Sequence, residues 1–324
     1  MRFLQSSARS ILPGIIFLLA FSSCSKKEIP VLTTETVSSI TIMSAKSGGN
    51  ITDDGGADIT ERGVCYNTSG NPTKLNQRTS NGTGTGTFVS NAMYLNPDTY
   101  YYLRAYATNK AGTGYGDVKE FHTPPLTKGT VTDVEGNIYG TVVLGNQTWM
   151  TENLRTTKYN DNTPISLVRN NDVWTRLITP AYCWYDNDSL ANKAAYGAIY
   201  NWYVISTGKL CPDGWRVPIN NDWNNLSNYL GGEYLAGDKL KEEGGSHWIN
   251  FSTASTNVSG FTARPGGGRI DGNFVYKGFA GAWWTSTEYD KDNAWCRELD
   301  DDIVELLTGA VGKSFGFSVR CIKN

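Results

Sequence analysis

The residues of this 324-residue chain that could do chemistry are few: six cysteines, two histidines and two acidic stretches. A zinc site or a Ser-His-Asp triad needs an imidazole beside further ligands or a nucleophile. Neither His122 nor His247, in "GGSHWIN", has such a neighbour motif, and both read as turn or surface residues. The stretches "TEYDKDNAW" and "ELDDDIVEL" supply Glu288, Asp290, Asp292, Asn293 and Asp300 to Asp302. These are hard oxygen ligands of the kind calcium takes. An acidic hairpin tip is more commonly a solvated face, so calcium stays an open option rather than an assigned cofactor. "VGKS" ends like a phosphate loop, but Leu307 stands where the first glycine is required. "NGTGTGT" at 81–87 is followed by a strand pattern rather than a helix, and reads as a hairpin tip. In "GAWWTSTEY" the adjacent Trp283 and Trp284 must point to opposite faces of a strand, one for the core and the other free to line a groove. Exposed rings stack on sugars and anchor protein interfaces. Trp283, Trp284, Tyr289, Asp290, Asp292 and Asn293 therefore form the candidate ligand-binding set.

The elements that must position these residues begin with an export signal. Arg2 and Arg9 precede the apolar run "ILPGIIFLLAF", too short for a permanent membrane span, and small residues lead to Cys24. "LAFSSC" resembles the lipobox of bacterial lipoproteins, which implies cleavage after residue 23 and lipid on the Cys24 sulfur. Several acyl chains together anchor firmly. Ser25 resembles outer-membrane sorting, with the surface and periplasmic faces both open. Everything after Cys24 is expected to be soluble. The remaining 27 basic and 31 acidic residues give a net charge of −4 and no clustered basic surface for nucleic acid. Export permits disulfides, and the five cysteines after Cys24 leave at least one unpaired.

Two prolines in "FHTPPLTKGT" interrupt the strand pattern and place a linker at 124–130. Before it, 24–34 reads as a tether and 35–123 as short β-rich runs separated by Gly and Asn turns, the pattern of an antiparallel sandwich. "LNPDTYYYLRAYATNKAGTGYG" resembles the end of a fibronectin type III domain, with Tyr101 as the tyrosine that ties the corner. Leu103, Ala105 and Ala107 should alternate inward, with Arg104 and Tyr106 outward. Cys65 lies on a strand and reads as a small buried hydrophobe.

In the second half, 131–324, "DVEGNIYGTVVLGNQTWMTENLR" is a hairpin pattern that sends Trp149 and Leu154 inward. Tyr196, Ile199, Tyr200 and Tyr203 follow a helical stripe. A second helix starts at Asn220 or Asn221, buries Trp223, Leu226 and Leu230, and stops at Gly231-Gly232. Phe315, Phe317, Val319 and Cys321 alternate onto one face of a last strand, and the whole reads as α+β. The ordered stretches "YGAIYNWY", "CPDGWRVP", "GFTARPGGGR", "WWTST" and "FSVRCIK", following the hairpin, resemble the Fibrobacter succinogenes major paralogous domain, common in lipoproteins of Bacteroidetes and Fibrobacteres. The resemblance implies a C-type-lectin-like fold without implying a known activity. It also implies that Cys211, before a helix, and Cys321, on the last strand, come together as a disulfide. Cys183 and Cys296 are left over, to be bridged or reduced. The expected function is non-catalytic binding or adhesion to a glycan or protein at the cell envelope. An architectural subunit of a fimbrial or envelope complex is the alternative, and a cysteine-dependent oxidase of formylglycine-generating type comes third.

Overall fold

A computed structural model describes residues 26–250 and 255–324. The signal segment and Cys24 lie outside the described residues. The chain is mostly β-sheet with a few short helices.

In the first unit, Val31–Thr34, Ser44–Asp53 and Gly86–Met93 make a three-stranded antiparallel sheet. Glu61–Asn67, Gln77–Arg78, Tyr100–Asn109, Gly112–Tyr115 and Lys119–His122 make the facing sheet. Their inner faces meet over Leu32, Ile51, Phe88, Val64, Leu103 and Phe121, so the unit is an all-β sandwich. The Tyr101 hydroxyl accepts a hydrogen bond from the Asn96 amide at 2.9 Å, closing the corner five residues upstream. Two expectations change. Val31–Thr34 is not tether: it alternates exposed and buried residues and pairs with Asn50 and Asp53, because Leu32 completes the core. Tyr106 is not outward-facing solvent surface. It is fully buried, its hydroxyl lying 2.9 Å from the Glu61 carboxylate and 2.7 Å from the Thr79 carbonyl.

The second unit opens with Lys128–Thr132, which pairs with Ile138–Leu144 and so shortens the expected linker. Gln147–Met150, Ile322–Lys323 and Trp215–Arg216 extend this sheet. A larger sheet runs from Tyr182–Cys183 through Ile199–Asn201, Gly316–Phe317, Gly266–Ile270, Ala280–Glu288 and Asn293–Asp300 to Leu307–Gly312. Asn273–Lys277 pairs with Gly266–Ile270 off that path. The expected helical stripe at 196–203 is broken. Ser189–Tyr196 is a helix, Gly197 turns the chain at φ 76°, Ile199–Asn201 is a strand, and Trp202–Ile205 is a single helical turn. Asn220–Tyr229 is a helix whose start is held by the Asp222 carboxylate accepting from the Ile219 amide at 2.8 Å, while the Asn220 side chain turns to Arg297 instead. Glu233–Leu240 follows after Gly231-Gly232, a helix the sequence pattern did not indicate.

Cys211 and Cys321 are disulfide-bonded, with Cα atoms 6.0 Å apart. Pairing of Trp215–Arg216 with Ile322–Lys323 brings the two segments together, and the bond sits in the core beside Val217 and Val319. "CPDG" is a turn, with the Trp215 amide donating to the Pro212 carbonyl at 2.9 Å and Gly214 at φ 78°. Ile42 and Met43 of the first unit enter the second unit's core with Trp149, Trp223 and Leu230. Lys239 lies over the Tyr94 ring at 4.5 Å, so the sandwich is docked rather than merely tethered.

Candidate functional site

The residues expected to bind ligand do not form one surface. Trp283 and Trp284 do point to opposite faces of Ala280–Glu288, yet both are 0% exposed. That strand is covered on both sides. Trp283 packs with Trp223 at 6.2 Å and donates from Nε1 to Asn153 at 2.8 Å. Trp284 packs with Phe317 at 4.9 Å and donates to the Tyr200 carbonyl at 2.8 Å. Neither ring can line a groove, and this corrects the expectation for both.

Tyr289, Asp290, Asp292 and Asn293 are at the tip of the hairpin joining Ala280–Glu288 to Asn293–Asp300. Tyr289 is 56% exposed and sits edge-on to Trp295 at 5.0 Å. Asp290 is occupied by its own turn: its carboxylate accepts from the Asn293 side-chain amide at 3.0 Å and from the backbone amides of Asp292 and Asn293, each at 2.8 Å, and these bonds hold its pKa below the usual carboxylate range. Asp300 to Asp302 are at the far end of the same eight-residue strand, roughly 20 Å away at the rise of a β-strand. The two acidic stretches therefore cannot ligate one calcium ion. Among the described residues no group of three or more His, Cys, Asp or Glu side chains converges.

Cys183 and Cys296 do not pair. Both are buried and free, and they belong to different core clusters. Burial pushes each thiol up to about 12. Cys65 is buried and free too, pushed up to about 11 by the same cause. His122 lies at 3.1 Å from Asp98 and stacks on Tyr100, while His247 lies 2.5 Å from Glu242.

What the fold assembles instead is a cavity of about 140 Å³ between the strands Gly266–Ile270, Ala280–Glu288, Asn293–Asp300 and Leu307–Gly312. Small residues make the room: Gly268, Ala282 and Gly309 present little or nothing to the cavity, while Ile270, Val311 and Phe317 supply its larger apolar side chains. Cys296 and Glu298 alternate onto this face, being two residues apart on one strand. Glu298 supplies the cavity's acid. Burial, with Asp300 close by, pushes its carboxyl up to about 7, so it can be protonated or ionised near neutrality. At the rim, Tyr276 is 59% exposed and held at φ 63°. That left-handed backbone is costly for an aromatic residue and clusters at ligand clamps. Gly267 opposes it at φ 60°, where any Cβ would stand 2.3 Å from the Val275 carbonyl oxygen. An enclosed apolar wall with one acid of shifted acidity is the usual form of a small-ligand site.

Sequence reasoning missed this site. Its signals were the "PGGGR" glycines and the Cys296/Glu298 alternation, but neither shows which strand lies opposite.

The second unit thus combines mostly β architecture with short helices, a disulfide and an apolar cavity. The profile of the Fibrobacter succinogenes major domain matches residues 142–323, more than half of the chain, and the chain belongs to that family. The all-β sandwich ahead of it accords with the fibronectin-like reading of the first half. No curated protein matches the chain. Among solved structures, the chain is 16% identical to the sensor domain of the anti-sigma factor RsgI4 in Pseudobacteroides cellulosolvens, over 30% of this chain and 76% of that one, with a TM-score of 0.23. It is 12% identical to the twitchin kinase region from C. elegans, over 63% of this chain and 34% of that one, also with a TM-score of 0.23. Superpositions this poor carry neither detailed fold nor function across.

Proposed function

We propose that the protein is a lipid-anchored component of the bacterial outer membrane, whose C-type-lectin-like second unit binds a glycan or an envelope protein without transforming it. The observation that supports this reading is the cavity at Glu298: apolar, walled by three glycine- or alanine-bearing strands, and rimmed by exposed Tyr276. Rings at a rim stack on sugar faces or anchor a protein side chain, and a single acid within orients a hydroxyl or amide. Catalysis by the free cysteines is disfavoured because the thiolate is the reactive form. Thiols pushed up to about 12 and buried are almost wholly protonated at neutral pH.

The test is a glycan and envelope-protein binding screen of the full-length chain beside its Gly309→Leu variant. Gly309 has backbone angles open to any residue, and its added Cβ would meet only the Cys296 sulfur, at 3.5 Å. Leucine there fills the cavity while keeping the strand. Binding lost in the variant supports the site, whereas binding that survives unchanged removes it. Stable envelope partners with no glycan bound would move the assignment to an architectural subunit. A turnover abolished by Cys296→Ala would overturn the non-catalytic reading.

A further inference from the structure

A second cavity of the second unit, of about 100 Å³ and sharing no lining residue with the first, is bounded by Glu152, Asn153, Ala194, Thr262, Arg264 and Arg320. Four stretches distant in sequence meet there: "TENL", "AAYG", "GFTAR" and "SVRC". Its charges do not balance. Glu152 is paired with Arg155 at 2.7 Å, and Glu242 with Arg264 at 2.9 Å and His247 at 2.5 Å. Arg320, 1% exposed, makes no ion pair among the described residues. It donates from Nε to the Asn153 side-chain oxygen at 2.9 Å and from its two Nη atoms to the carbonyls of Phe261 and Thr262. The Asn153 oxygen is shared with the Trp283 indole N–H.

A guanidinium has five N–H donors, so two on Arg320 have no protein acceptor among the described residues. Arg269, equally buried and equally without an acid, differs: three carbonyls and the Asn171 side chain take four of its donors. A buried cation left partly unsatisfied is expensive. Burial pushes Arg320 down to about 9, which still leaves it charged at neutral pH. The backbone around it is also held under constraint. Thr262, β-branched, sits at φ 58° with its carbonyl on Arg320. Gly197 sits at φ 76° where a Cβ would stand 2.7 Å from the Leu154 carbonyl oxygen. Left-handed geometry at a β-branched residue persists only where the surroundings enforce it.

We infer that this cavity is a receptor for one carboxylate group, held by the two free donors of Arg320 with Arg264 beside it. One uncompensated positive charge matches one negative charge, and a planar carboxylate matches a guanidinium fork. A dianion would leave net negative charge against Glu152. The cavity opens past exposed Ala194, so the carboxylate can belong to a free small acid or to the end of a larger molecule such as an acidic saccharide.

The experiment is calorimetric titration of the full-length protein with sodium acetate and, separately, sodium glucuronate, over a constant chloride background, with sulfate as the competing dianion. Acetate should saturate at one site per chain. Glucuronate binding at comparable strength assigns a saccharide carboxylate, and acetate binding alone assigns a small free acid. Ala194→Trp, which closes the mouth without touching a polar contact, should weaken binding at least about tenfold, ~1.4 kcal/mol, with circular dichroism unchanged. Arg320→Gln should abolish binding, and Ala194→Trp keeps the test decisive where that variant does not fold. No saturable binding of either carboxylate, tighter binding of sulfate, or acetate binding indifferent to Ala194→Trp would overturn the inference. Gly309→Leu should leave acetate binding unchanged, which separates this result from the fate of the Glu298 site.

Discussion

Glu298 is half-covered on a strand whose neighbours at Cys296 and Leu299 are buried, and its carboxyl titrates higher folded than unfolded. The sign of the consequence follows from linkage: where the native state holds more protons than the unfolded chain, stability falls as pH rises. Its contribution is therefore fully present below the ordinary glutamate range and is lost as pH climbs through about 7. Discounted for partial solvent access, the loss should be on the order of 1–2 kcal/mol. Urea unfolding of Glu298→Gln should show a flatter stability profile between pH 5 and 8, as approximate limits of that titration, and a higher midpoint than the parent at the alkaline end. A variant as pH-dependent as the parent would show that the carboxyl is not held in its neutral form. Glu298 was not legible as a site residue in the sequence, because its significance comes from glycines and alanines on strands 16 to 31 residues before it, and 11 after it. The tryptophan pair was legible as a pair on opposite faces, but whether a face is covered depends on what a distant segment packs there.

At the level of elements, local pattern succeeded where one segment decides its own structure. Trp223, Leu226 and Leu230 are all 0% exposed, and the glycines after them stop the helix. The 196–203 stripe failed for a tertiary reason. A 3.6-residue period and a buried β-run coincide over short aromatic stretches, and Ile199–Asn201 is recruited by two strands, Tyr182–Cys183 and Gly316–Phe317. The last strand is also split between sheets, Gly316–Phe317 in one and Ile322–Lys323 in the other. Phe317, Val319 and Cys321 nevertheless share one core, as their alternation implied. What ties this crossover down is the disulfide, spanning 110 residues. Closing so long a loop should stabilise the second unit by about 3–5 kcal/mol in a chain-entropy account. Cys211→Ala with Cys321→Ala should lower the urea midpoint accordingly, and reductant should then have no further effect. An unchanged midpoint would place the fold's stability elsewhere, in the Trp149, Trp223 and Phe261 cluster.

The whole molecule couples two units that the sequence separates at Pro124-Pro125. The connection itself is engaged at both ends: the Pro124 carbonyl accepts from the Asp98 amide at 3.1 Å, and Leu126 packs on the second unit's core. Ile42 and Met43, 8% and 4% exposed, complete that same core from the sandwich side. Nothing in "SSITIMSA" distinguishes a residue that faces its own sandwich from one that faces another unit, since both are apolar and strand-like. Shared burial of this kind makes one cooperative body out of two folds, where a polar interface would let each unfold alone. Calorimetric unfolding of the intact chain should accordingly show a single transition. Met43→Asp places a charge in a site shared with Trp149 and Trp223, and should cost about 3 kcal/mol or more. That cost falls on the docking rather than on the sandwich's own core of Leu32, Phe88 and Leu103, so the variant should unfold in two steps, the second unit first. Two transitions already present in the parent protein would mean that the units are stable independently of their contact, and a single one retained by Met43→Asp would mean that their coupling does not run through Met43.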